Sequence, residues 1–266
     1  MSGPVSKRVV LWIMVGATTV FLALPTLVVL GASFTAGETL RFPPQGLSLR
    51  WYGELLGAVA FQKALVRSLY VGAICALISV PAGTLCGIAL ARYRIRMLTP
   101  LQLYLLLPFT IPVVVAGIGM MLVFGEIGIL GGLWPVGLAT CVINIPFMIS
   151  SVSATANRID PDLENAAANC GAAPLQVFFT VTLPAVMPGV ITGALLMFVL
   201  AVNEFIVSLL LVNARIITLP VMIYSSVRGT ITPDLAAVSV VYIVIAAAAI
   251  ALLDRLVGLD LFLRAR

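Results

Sequence analysis

Hydrophobic residues in this chain form long runs rather than alternating, and charged residues fall almost entirely between the runs. Charge-free windows lie between Arg8 and Glu38, Arg67 and Arg92, Arg96 and Glu126, Glu126 and Arg158, Gln176 and Glu204, and Asp234 and Asp254. Each is long enough for the ~20 residues that a helix needs to cross ~30 Å of hydrocarbon. The pattern predicts an all-α membrane protein with six transmembrane helices, at about 10–32, 68–91, 101–124, 133–152, 187–209 and 235–253. All six belong to a single transmembrane domain over 1–266. A membrane β-barrel would show ~10-residue segments of alternating polarity instead.

Composition agrees with this reading: 62% of residues are hydrophobic and 9% charged, against roughly 25% charged in soluble domains. Orientation follows from lysine and arginine near the span ends. With the N-terminus inside, Lys7, Arg8, Arg92, Arg94, Arg96, Arg158, Arg255, Arg264 and Arg266 are cytoplasmic, and Arg41, Arg50, Lys63, Arg67, Arg215 and Arg228 lie outside. The short turn Arg92–Arg96 carries most of that bias, and both termini are then cytoplasmic. The first apolar run exceeds the 7–15 residues, roughly, of a signal-peptide core, so it is expected to remain as a span. Topology accounts for the net charge of +5, so membrane lipid is an expected partner and nucleic acid is not.

Absent residues narrow the chemistry. The chain has no histidine, its only lysines are Lys7 and Lys63, and no GxxxxGK[ST] phosphate loop occurs. Paired metal ligands and Ser/His or Cys/His nucleophile pairs are missing as well. No catalytic residue, metal or cofactor is expected in this chain, and any ATPase that drives it must be another polypeptide. Cys75, Cys86, Cys141 and Cys170 have no CxxC spacing and read as small hydrophobes.

The most informative segment is Asp160–Pro188, predicted to be a polar-ended helical hairpin between spans. Asp160 suits an N-cap, Pro161 the first helical position, and Asp162 and Glu164 the first turn, where the helix dipole favours negative charge. Asn165-Ala166-Ala167-Ala168-Asn169 makes a small-residue interior, and Gly171 suits the left-handed residue that ends a helix. A second helix is expected from Pro174 to just before Pro184, with Phe178 and Phe179 as a buried aromatic anchor. Small residues on the first arm allow another backbone to approach closely.

This segment resembles the cytoplasmic loop of ABC importer permease subunits, whose pattern is EAA, three residues, Gly, nine residues, Ile-x-Leu-Pro. Ala166-Ala167, Gly171, Val181, Leu183 and Pro184 match that spacing, while the family's glutamate is Asn165 here, with Glu164 just before it. Ser33-Phe34, Ser48–Tyr52, Leu219–Arg228 and Thr232-Pro233-Asp234 further resemble the spermidine/putrescine (PotC-like) branch. The resemblance implies a type I importer permease (MetI-like) fold with cytoplasmic coupling helices over 158–186, in a bacterial inner membrane. It also implies a second permease subunit, two cytosolic ATPase subunits that bind ATP and magnesium, and an extracytoplasmic solute-binding protein. In that family the first span wraps the partner permease and the other five form the translocation core. Glu164, Asn165, Ala166, Ala167, Gly171, Phe178, Leu183 and Pro184 become the candidate ATPase-coupling residues.

Candidate pathway residues lie elsewhere. Glu204, beside Asn203, is an ionisable group in the fifth span, where a charge costs roughly 2.5 kcal/mol or more at mid-depth and faces a water-filled path or a partner. The polyamine branch carries two acids at this place, of which Glu204 retains one. A structural carboxylate near the outer interface is the competing reading. Pro108 and Pro112 make the third span the best candidate for lining the path, since prolines free backbone carbonyls that are tolerated where they face protein or a cavity. Kinked packing without solute contact suits them equally. Gly189, Gly193 and Ala194 read as helix-packing residues. Outside the membrane an amphipathic piece is expected over 51–66, with Trp51 and Tyr52 at the interface, and 217–226 is a candidate outer gate that dips toward the core. Polyamine is the expected solute, with organophosphonates, amino-acid derivatives and ferric iron as alternatives. A secondary transporter would need its own ion-coupling constellation and often an inverted repeat, and neither is visible.

Overall fold

A computed structural model describes residues 4–257 except 41, 45, 94, 95, 214, 230 and 231. Among the described residues the regular structure is helical, with two isolated bridges, Thr35–Leu47 and Gly131–Val212. The chain divides into two compact units.

The first unit comprises residues up to Gln62 together with Ile223–Ile245. It begins with α1 (Pro4–Ala32), whose most apolar stretch, within Arg8–Ala32, buries nothing against this chain. The loop that follows is tied by polar and aromatic contacts. Trp51 Nε1 donates to the Thr35 carbonyl at 2.9 Å, the Ser33 and Tyr52 hydroxyls lie 2.6 Å apart, and the Phe34 and Tyr52 rings stack at 5.6 Å. Thus Ser33-Phe34 and Trp51-Tyr52, two segments noted separately in the sequence, meet in space. The amphipathic piece expected over 51–66 is not one helix. It ends as α2 (Arg50–Gly57) at an extended Ala58, and the rest opens α3 (Val59–Arg92), a longer helix than the 68–91 span requires.

The second unit, Lys63–Met222 together with the described residues from Ala246 on, holds the main core. Here α3, α4 (Leu98–Thr110), α5 (Val113–Glu126) and α6 (Leu133–Ala156) precede a short α7 (Asp162–Asn169). The stretch expected as a third span, 101–124, is broken: α4 and α5 meet at 89°. Pro112 explains the break, because it lacks an N–H and pushes the preceding residue out of the helical region. Ile111 accordingly sits at φ −72°, ψ 135°. Pro81, Pro108, Pro146 and Pro188 are accommodated inside their helices.

After α7, α8 (Pro174–Val177) passes through a π-turn (Phe178–Thr182) into α9 (Leu183–Val202). A helix stopping before Pro184 was expected. The chain instead stays helical across it, because the widened turn relieves the clash between a proline ring and the carbonyl four residues back. The fifth apolar stretch, expected at 187–209, is interrupted at 203–205, and α10 (Ile206–Leu211) follows the break.

Small residues let these helices touch. A Cβ at Gly87 would lie 2.9 Å from the Ile149 carbonyl, one at Gly189 2.8 Å from the Ser151 carbonyl, and one at Gly137 3.3 Å from the Val71 carbonyl. The core between α3, α5, α6, α9 and α10 includes Val71, Phe124, Val136, Met148, Val152, Val186, Met197 and Leu211. Cys75 and Cys141 are buried, and all four cysteines are free thiols. The last elements are α11 (Leu219–Gly229) and α12 (Pro233–Val257), each of which runs across the boundary between units. Where α11 starts, Thr218 and Leu219 are buried and the Leu219 N–H donates to Ser68 Oγ at 2.8 Å, so this end of the 217–226 segment packs inward.

Among the described residues four helices are long and apolar enough to cross a membrane, and a fifth if the bent α4–α5 pair counts as one. The expected sixth span, 235–253, falls within α12, whose described apolar part runs over Pro233–Ile245.

Candidate coupling site

Local chemistry fixes the hairpin's first arm. The Asp160 carboxylate accepts the Asp162 N–H at 2.9 Å and so caps α7, which begins one residue later than the sequence suggests. At the other end Gly171 takes φ +87°, the left-handed conformation expected of it. The Ala172 N–H reaches the Ala167 carbonyl at 3.2 Å and the Gly171 N–H reaches Ala168 at 2.9 Å, the paired bonds of a Schellman stop. A Cβ on Gly171 would meet nothing within 4 Å in this chain. Conformation, not crowding within the chain, is what demands glycine.

The hairpin has two sides. Outward it presents Leu163, Leu175 and Phe179, exposed to 54%, 73% and 61%, with Asn165, Ala166 and Cys170 also exposed. Leu163, Ala166 and Cys170 follow helical spacing along one stripe. Inward it turns Glu164 and Ala167, both half-buried. Glu164 Oε1 accepts from Arg92 Nε at 3.0 Å and from Thr182 Oγ1 at 3.0 Å, while Arg92 Nη1 donates to the Ile159 carbonyl at 3.2 Å.

The structure therefore divides the sequence-derived coupling residues. Asn165, Ala166, Gly171 and Pro184 are exposed; Glu164, Ala167, Phe178 and Leu183 are turned at least partly into the chain. Asn165 makes a hydrogen bond to Asp162 at 3.2 Å. The expected aromatic anchor splits: Phe178 packs against the core while Phe179 stands out, their rings in edge contact at 5.0 Å. Leu163, Leu175, Arg92 and Thr182 were missed. Helical phase from Glu164 would have pointed to Leu163, whereas nothing in the sequence pairs Arg92 with Glu164.

The pathway candidates do not come together as one site. Asn203 and Glu204 occupy the break after α9 and resolve its loose backbone groups. Asn203 Nδ2 donates to the Val199 carbonyl at 2.8 Å, Glu204 Oε1 accepts the Val207 N–H at 3.1 Å, and Ser208 Oγ donates to the Glu204 carbonyl at 2.8 Å. Pro108 lines a different space, an apolar cavity of about 710 Å³ bounded by Ile78, Tyr104, Met120, Phe124 and Ile145 among others. Pro112 sits at the α4–α5 bend outside that lining. No group of three or more His, Cys, Asp or Glu capable of holding a metal occurs among the described residues.

A family described as "Binding-protein-dependent transport system inner membrane component" matches residues 79–259. The chain belongs to that family. This permease is 31% identical over 227 residues to the putrescine transport system permease protein PotI of Escherichia coli (strain K12), covering 82% of this chain and 80% of that one. It is 32% identical over 212 residues to the molybdenum transport system permease protein ModB of Mycobacterium tuberculosis (strain ATCC 25618 / H37Rv), covering 74% and 80%. Its fold matches a subunit of a bacterial ABC transporter involved in the import of the acidic polysaccharide alginate, with a TM-score of 0.72 at 16% identity over 96% of this chain and 98% of that one. The permease is thus a multi-pass component of a bacterial inner membrane and a non-catalytic part of an ABC importer, with ATP handled by partner subunits.

Proposed function

We propose that this permease crosses the membrane six times with both termini in the cytoplasm and forms half of an importer's solute pathway. Its 158–186 hairpin docks on a cytosolic ATPase subunit. The observation that carries this reading is the exposed stripe of Leu163, Ala166 and Cys170, held on a capped helix at the end of the continuous segment that enters α9. Exposed leucines on a polar arm fit a packed socket, which holds its grip through a conformational cycle better than surface ion pairs worth ~0–1 kcal/mol each. The unburied face of α1 suits a second permease subunit, and a solute-binding protein delivers the cargo from outside.

The native Cys170 thiol offers a direct test. A short thiol crosslinker on Cys170 in membranes of the producing bacterium is expected to capture an ATP-binding subunit, and Leu163→Asp to abolish that product. Capture undiminished in the variant would remove the hairpin face from the interface.

The solute is proposed to be a polyamine, a reading supported by the similarity to PotI and by the acid at Glu204. The comparable identity to a molybdenum permease keeps an oxyanion as the second reading. Glutamine at position 204 preserves the acceptor for the Val207 N–H and removes only charge, so Glu204→Gln is expected to fold normally. For a cationic solute the variant should lower radiolabelled putrescine uptake roughly tenfold, the equivalent of ~1.4 kcal/mol. Unchanged uptake would confine Glu204 to capping α10.

A further inference from the structure

Helix α7 is eight residues long and buries none of them. A helix that short is marginal by itself in water, and the one apolar side chain it turns inward, Ala167, offers no more than a half-buried methyl. What holds it is polar. One oxygen of Glu164 receives both the Arg92 guanidinium and the Thr182 hydroxyl, and the same guanidinium reaches back to the Ile159 carbonyl ahead of α7. Arg92 is the last residue of α3, and Thr182 closes the π-turn that leads into α9. Thr182 is buried, the Arg92 and Glu164 side chains keep only 14% and 24% of their exposure, and Arg92 Nη2 is buried without a partner. A partly desolvated, charge-assisted node of this kind resists displacement far better than an exposed pair does.

We infer that Arg92, Glu164 and Thr182 form the mechanical joint that makes α7 move as one body with the ends of α3 and α9. Glu164 is then a positioning residue within the permease, not a contact for the ATPase. The inference rests on the docking role proposed above and adds how a displacement of the docked helix enters the bundle: through two spans at once, by way of a single carboxylate.

The joint is read by the distance between nitroxides at Ala168→Cys on α7 and Met187→Cys on α9, with Cys86 and Cys170 replaced by serine, in the assembled transporter in nanodiscs. The joint predicts a narrow distance distribution that is the same without nucleotide and with ATP and vanadate. Glu164→Gln and Thr182→Val, both near-isosteric, should broaden it roughly twofold through local opening, and Thr182→Ser should restore the narrow form. Co-purification of the ATPase subunit should equal that of the doubly labelled parent, which carries the same Cys170 replacement, in all three. An unbroadened distribution in Glu164→Gln would overturn the joint. So would loss of the ATPase from that variant, since Glu164 would then belong to the docking contact. The label distance lies within one chain, so it reads the joint even where the Cys170 crosslink fails, and the two proposals can fall separately.

Discussion

Replacing Gly171 by aspartate is expected to leave the permease inserted and folded yet abolish transport-coupled ATP hydrolysis. Within the chain the cost is conformational only, about 1–2 kcal/mol for an L-residue at φ +87°, because a Cβ there meets no atom of its own protein. Aspartate is among the residues that tolerate this region best. The larger penalty falls on the proposed complex, where a carboxylate closed into a packed interface costs on the order of 3 kcal/mol or more, roughly a hundredfold in docking. Gly171→Asn shares the backbone tolerance and lacks the charge, so it should retain much of the coupled turnover. ATP hydrolysis stimulated by the loaded solute-binding protein, measured in proteoliposomes beside membrane abundance, separates these effects. Normal coupled turnover in Gly171→Asp would sink the docking assignment.

The second large effect belongs to the bundle. At Gly189 a Cβ would meet the backbone carbonyl of Ser151 at 2.8 Å, and the Gly189 carbonyl itself accepts from Ser151 Oγ at 2.8 Å. A backbone oxygen cannot rotate aside. At Gly193, four residues on, the closest neighbour is the flexible end of the Met148 side chain, with Ser151 Cβ at 3.3 Å. Gly189→Ala should therefore destabilise by about 2–3 kcal/mol as overpacking, lowering the thermal midpoint in detergent by roughly 5 °C or more. Gly193→Ala should cost less, because methionine adapts to irregular space. Equal midpoints for the two variants would show that α6 and α9 separate more easily than the close contacts suggest.

These three glycines also mark how far the sequence could be read. Gly189 and Gly193 are recognisable as packing residues because small side chains at helical spacing have few other uses in a span. Gly171 is recognisable because it follows a capped polar helix. Both judgements depend on neighbours in the chain. Hydropathy, by contrast, measures how apolar a stretch is and not whether it is one helix, so it ran 101–124 and 187–209 together across real breaks. Pro112 could have betrayed the first, since it acts on the residue before it. The second needed Asn203 and Glu204 to be seen as caps, a role that only their bonds to the Val199 carbonyl and the Val207 N–H disclose. Glu164 shows the limit most clearly. Its proximity to the EAA-like pattern suggested a partner contact, yet its charge is taken by Arg92, 72 residues away, a pairing that depends on where α3 ends.

The π-turn ahead of Pro184 does more than carry the helix past a proline. Each helical residue turns the chain by about 100°, so the widened turn sets the angular phase between the arm bearing Leu175 and Phe179 and the membrane part of α9. Tightening 178–182 to ordinary α geometry with all five residues kept would add to the twist at each of them and swing those two apolar side chains about a quarter of the way round the axis, away from where they now point. The number of residues and the width of the turn are therefore tied together: relatives that keep the hairpin's orientation should carry five residues where the turn is wide and about four where it is ordinary α.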